Sequence, residues 1–197
     1  GRHEQHLEAA KRLTDHLLYV WAERELRQVL AVTQPAESFG YQARLLLSSL
    51  LYDLQRERES AEALKTIVDA MEREPGLWQD GENDPGSLRA LWHYRCAMHD
   101  GRVGDRPQQR THLEEAIRHN PRDADVLIAM HRLPDADPPW REMTKIRIQE
   151  MSRNSLQAAK KYEAFAKNPL QQRLRTESDD RLENLYNEFA WLVSGDL

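Results

Sequence analysis

Apolar residues recur every three or four positions along most of the chain. Leu7, Ala10, Thr14, Leu17, Leu18 and Trp21 open the pattern, and Leu26, Val29, Leu30 and Thr33 continue it to a stop at Pro35. Leu47, Leu50, Leu51 and Leu54 form a second stripe, and Leu64, Ile67, Val68 and Met71 a third. This spacing puts one apolar face on a helix and leaves Arg, Glu and Gln to water. Pro75 and Gly76 end the third stripe. A turn-rich loop of Asp, Gly, Asn and Pro follows, and Ser87 is placed to cap the next helix. Further helices are expected over about 88–99, 108–119 and 123–133, with a loop through Gly101, Gly104 and Pro107 between the first two. After Pro138 and Pro139 a long helix is expected over about 140–167, burying Met143, Ile146, Met151, Ala158, Ala159, Tyr162 and Phe165. Ser178 or Asp179 starts a last helix through Leu182, Leu185, Phe189 and Leu192, to Gly195.

Composition agrees with an all-α chain of about eight helices. The 197 residues include 26 Leu and 20 Ala but only 18 Val, Ile and Thr together, which excludes a β-rich fold. Cys96 is the single cysteine, so there is no disulfide framework. The densest apolar stretch, residues 45–54, is broken by Ser48, Ser49 and Asp53 and cannot span a membrane. The N-terminus is polar and carries no export signal, which leaves the compartment open between cytoplasm and, after removal of a leader, periplasm or exterior.

Two segments end alike: Ala70 followed five residues later by Pro75, and Ala116 followed five residues later by Pro121, with Ile67 and Leu113 three residues before each Ala. A self-similar helix ending points to a repeat. Residues 44–77 resemble the tetratricopeptide repeat (TPR), with Leu47, Leu50 and Leu54 at large first-helix positions. Ala63, Ile67, Ala70 and Pro75 match its second helix. Leu51 stands where that family favours Gly or Ala, and Arg58 where it favours Gly. Degenerate units are expected at about 88–121, where Gln109 replaces a small residue, and at about 123–168, with a half repeat at 179–195.

The resemblance implies a single domain over 1–197, a right-handed α-solenoid of antiparallel helix pairs and part of a longer repeat protein. A non-repeating helical bundle is the alternative. The resemblance further implies a non-catalytic scaffold or adaptor that binds a protein or peptide on its concave face. The family's concave positions fall on Ser48, Tyr52, Gln55 and Arg56. The terminal half repeat would offer a surface for self-association.

No spacing here carries catalytic chemistry, so no enzyme activity, cofactor or metal is expected. His3 and His6 are too close for the zinc-protease helix motif and suggest a frayed, solvated terminus. His93, His99, His112 and His119 read as solvated or capping residues, and Cys96 as a small packed residue. The acidic loop at 80–84 lacks the Gly and Glu of a calcium loop. Charge is unevenly spread, at −6 over residues 1–140, +6 over 141–175 and −5 over 176–197. Arg153, Lys160, Lys161 and Lys167 therefore mark an alternative reading, a nucleic-acid-associated helix. Few interleaved aromatics and a net charge of −5 argue against it.

Overall fold

The computed structural model describes residues 1–75, 84–134 and 136–166, with the isolated positions 184 and 190. Among them are eight α-helices and no strand: α1 (Arg2–Asp15), α2 (Tyr19–Leu30), α3 (Ser38–Asp53), α4 (Glu57–Arg73), α5 (Pro85–Val103), α6 (Arg106–His119), α7 (Ala124–His131) and α8 (Pro138–Ala166). The chain divides into two compact units, residues 1–121 and 122–197. No helix among the described residues is long and apolar enough to cross a membrane.

The first unit consists of three helix hairpins, α1/α2, α3/α4 and α5/α6, in which each helix packs on the next and α1 also packs on α3. All three reverse in the same way. Leu17, Gln55 and Gly104 adopt left-handed backbone at φ 59°, 61° and 82°. The following amide then donates back five residues, Leu18 to the Leu13 carbonyl at 2.8 Å, Arg56 to Leu51 at 2.8 Å and Asp105 to Asp100 at 2.9 Å. This left-handed stop satisfies carbonyls that a helix end leaves open. Only the third turn uses glycine. The expected stripe through Leu17, Leu18 and Trp21 is therefore broken by a reversal, and these side chains are 69%, 47% and 57% exposed. Nothing local announces that turn, because it contains neither Gly nor Pro.

Counted from the left-handed residue, the same places are buried in each hairpin. In the second helices these are Ala22, Ser60 and Gln109, then Leu26, Leu64 and Leu113, then Val29, Ile67 and Ala116. Ala10, Ser48 and Ala97 are their counterparts in the first helices. In the middle hairpin the small pair is hydrogen-bonded: Ser60 Oγ donates to the Ser48 carbonyl at 2.7 Å, and the two hydroxyls lie 2.8 Å apart. The hydrogen-bonded small residue of α4 is thus Ser60, three residues before Ala63, while Ala63 and Ala70 pack at the edge of the apolar clusters. Both alanines are only half-buried. In the third hairpin Gln109 is long, and Gly101 makes room for it, since a Cβ there would sit 2.4 Å from Gln109 Nε2.

Helix α5 continues through Gly101 to Val103, beyond the stop expected near 99, and the loop shrinks to Gly104 and Asp105. Its N-cap is Asp84, whose carboxylate accepts from the amides of Gly86 and Ser87 at 3.0 Å each. Ser87 is not the cap but donates its own hydroxyl to Asp84 at 2.7 Å. A carboxylate at this place satisfies open amides and meets the positive end of the helix dipole.

In the second unit Asp123 caps α7 by accepting from Val126 N–H at 3.1 Å. Trp140 Nε1 of α8 donates to the Met130 carbonyl at 3.0 Å, and Arg141 reaches the carbonyls of Leu133 and Pro134 at 3.3 and 3.1 Å. The buried line of α8 is Thr144, Ile148, Ser152, Ser155 and Ala159. This corrects the expected face: Met143 and Ile146 are 36% and 46% exposed, Met151 and Ala158 half-buried, and only Ala159 is buried. Short hydroxyl residues can satisfy their polar atom on their own helix, as Thr144 Oγ1 does on the Arg141 carbonyl at 3.0 Å. Apolar periodicity does not detect such a face. The side chains of Tyr162 and Phe165, the acidic loop at 80–83 and the last expected helix lie outside the described residues.

Ile67 is fully buried, so Ile67→Ala is expected to cost about 2–5 kcal/mol in urea unfolding. The turns give an opposed pair. A Cβ on Gly104 meets nothing within 4 Å, so Gly104→Ala should lose about 1 kcal/mol from backbone strain alone. Gln55→Gly relieves the same strain and should gain up to about 1 kcal/mol.

Candidate functional site

The four residues expected to line a binding face occupy different environments. Ser48 is buried in the α3/α4 contact. Gln55 is exposed at the second turn, and its carbonyl accepts from Arg102 Nη1 of α5 at 3.0 Å. Tyr52 is half-buried on α3 and faces α5. The Arg95 guanidinium lies 3.4 Å from the Tyr52 ring centre and 5.7 Å from that of Tyr94, and the two tyrosine hydroxyls are 3.3 Å apart. A cation over aromatic faces is attracted by the ring quadrupole, more strongly when water is partly excluded. Two neighbouring first helices therefore join in one aromatic and cationic surface. Spacing along the chain does not place Tyr94 and Arg95 beside Tyr52, because that depends on how α5 aligns with α3 in the folded chain.

Arg56, the N-cap of α4, anchors a charge network. It donates from Nη1 to Glu23 of α2 at 2.7 Å, and from Nε and Nη2 to Glu59 at 2.7 and 2.6 Å. Arg27 adds a bond to Glu23 at 2.7 Å. Burial pushes the Glu23 carboxyl up, but the hydrogen bonds and charges of Arg56 and Arg27 outweigh it and hold it below its ordinary value. The Arg56 hydrogen bond lowers Glu59 in the same sense.

A groove of about 190 Å³ runs between α4, α5 and α6, with Cys96, Asp100, His99 and His112 in its lining. Burial, with the nearby Asp100 charge, pushes the Cys96 thiol up to about 12, so it stays protonated and unreactive near neutrality. Asp100 Oδ2 is buried, accepts no hydrogen bond and faces His112 Nε2 at 3.7 Å. Burial raises its carboxyl above the usual range.

Three of the four histidines expected to be solvated or capping, His93, His112 and His119, lie together, and His119 stands in the last turn of α6. His93 Nδ1 and His112 Nδ1 are 3.0 Å apart, and His93 stacks on His119 with ring centres 5.7 Å apart and planes 12° from parallel. Burial, then the neighbouring His112 and His119, pushes His93 down to about 4, which keeps it neutral at physiological pH. Glu115 joins His93 and His119, and one ligand atom from each lies within 4.8 Å of the others. The spacing of Glu115 and His119, one helical turn apart, was a signal for this cluster; its partner His93 depended on the α5/α6 register. At the N-terminus, His3 meets the edge of Phe39 at 4.8 Å and His6 Nδ1 lies 2.5 Å from Glu25 Oε2. Residues 2–15 are thus an anchored helix, where a frayed end was expected.

Arg153, Lys160 and Lys161 are exposed on α8. Lys167 and the half repeat at 179–195 lie outside the described residues. Neither protein-family models, nor curated proteins, nor solved structures match this chain.

The charge network makes stability depend on pH. Folding lowers the Glu23 carboxyl from its ordinary 4.5, so its contribution is complete above that value and is lost as pH falls through the lowered one. Glu23→Gln should therefore destabilise clearly at pH 7, by about 1 kcal/mol, and less at pH 3, measured by urea midpoints at both.

Proposed function

We propose that this chain is a non-catalytic scaffold or adaptor whose first unit is a TPR-like solenoid segment that binds a protein or peptide. The observation that carries this reading is the threefold recurrence of one hairpin. The left-handed stop recurs at Leu17, Gln55 and Gly104, and the small and large buried residues recur at matching places after it. Units that repeat in this way stack by nearest-neighbour contacts and present their first helices side by side as one surface. Tyr52, Tyr94 and Arg95 lie on two such helices. Amphipathic aromatics and arginine are the side chains that most often anchor a protein partner.

The binding surface proposed is accordingly Tyr52, Tyr94 and Arg95 with Arg56 at its edge, while Ser48 holds the helices together beneath it.

The test is capture of partners from a lysate of the source organism, compared between the parent protein and the double variant Tyr52→Ala/Arg95→Ala. Partners retained by the parent should be lost from the variant while its helical circular dichroism is unchanged. Partners held equally by both would sink the proposed surface. Polarisation assays with RNA and DNA at low salt test the other reading. Binding there that disappears in Arg153→Ala/Lys160→Ala/Lys161→Ala would favour a nucleic-acid module instead.

A further inference from the structure

At the open end of the third hairpin, opposite the Gly104 turn, α6 finishes beside the start of α5: the His119 carbonyl lies 3.1 Å from where a Cβ on Gly86 would be. Here Glu115 and His119, one turn apart on α6, face His93 on α5. This is the one group of three or more potential metal-ligating side chains among the described residues. We propose that His93, Glu115 and His119 form a binding site for one divalent transition-metal ion of the zinc class, which clips α5 to α6.

The donor set selects the class of ion. Two imidazoles and one carboxylate suit Zn²⁺, Co²⁺ or Ni²⁺, whereas Mg²⁺ and Ca²⁺ require oxygen ligands. Three protein ligands leave a fourth position for water. Bonds of about 2.0–2.2 Å in tetrahedral geometry put ligand atoms about 3.5 Å apart. The present spread of up to 4.8 Å closes with roughly 1 Å of side-chain movement, which rotamer adjustments of half-buried residues supply. The 3.0 Å contact between His93 Nδ1 and His112 Nδ1 occupies one ring nitrogen of the first ligand and leaves Nε2 for the ion. One competitor is visible: Arg118 Nη1 donates to Glu115 Oε1 at 2.5 Å. Arg118 is 66% exposed, and an exposed pair of this kind is worth too little to hold the carboxylate against a metal.

The experiment is titration of the purified chain with Co²⁺, read by visible d–d absorption, and with Zn²⁺, read by calorimetry and by thermal melting. One ion per chain is expected at micromolar affinity, with a raised melting temperature. His119→Gln and Glu115→Gln should each weaken binding at least about tenfold and abolish the thermal shift. His3→Gln/His6→Gln, which alters the other histidine pair, should change neither. Circular dichroism of the unliganded variants separates lost ligation from lost fold. Absence of binding at millimolar Co²⁺ overturns the site. So does binding that survives both α6 substitutions, or that disappears only with the N-terminal pair.

Discussion

A single residue forced into the left-handed region governs each hairpin of the first unit. Because the second helix starts two residues after the left-handed one in all three, at Tyr19, Glu57 and Arg106, the position of that left-handed residue decides which side chains of the second helix meet the first. Moving it by one residue would rotate the second helix by about 100° and turn a different face inward. The three turns thus place Ala22, Ser60 and Gln109 at equivalent points of contact despite their different sizes. What differs between hairpins is how the contact is filled. A serine pair bonds across it in the second, and in the third a missing Cβ at Gly101 admits a glutamine. The register is common to the three, and the local chemistry adapts to it.

Polar groups join one hairpin to the next. Arg56 ties the start of α4 to α2 through Glu23, and Arg102 ties the end of α5 to the turn between α3 and α4. Both links lie at turns, where helix ends leave backbone groups in need of partners. The apolar core supplies cohesion along the helices, and these charged contacts set how neighbouring turns align. The Tyr52, Tyr94 and Arg95 group adds a third kind of link, between the faces of two first helices.

Helical class and most helix ends were readable in the sequence, because Pro75, Pro121 and Pro134 act locally and apolar spacing is regular. The cap of α5 was misplaced by three residues because Asp84 and Ser87 carry equivalent local signals. The first and second turns were harder still. Leu17 and Gln55 pay a backbone cost that tertiary packing covers, and nothing in their identity advertises it. In α8 the buried line of Thr144, Ser152 and Ser155 has no apolar signature, so periodicity selected the wrong side. The candidate sites divide likewise. Glu115 and His119 share a face by spacing alone, whereas His93 and the Tyr94/Arg95 pair arrive from a separate helix whose alignment only the folded chain defines.

Glu57 stands at the first position of α4, buried among its neighbours and ion-paired with Arg102 of the following hairpin. The pair crosses from hairpin two to hairpin three, so it and the α4/α5 packing around it are lost together when α5 leaves. Separation returns both charges to water and forfeits the pair rather than stranding either charge. In the folded chain the same carboxylate also meets the positive end of the α4 dipole, so one side chain serves both the start of its own helix and the seat of the next hairpin.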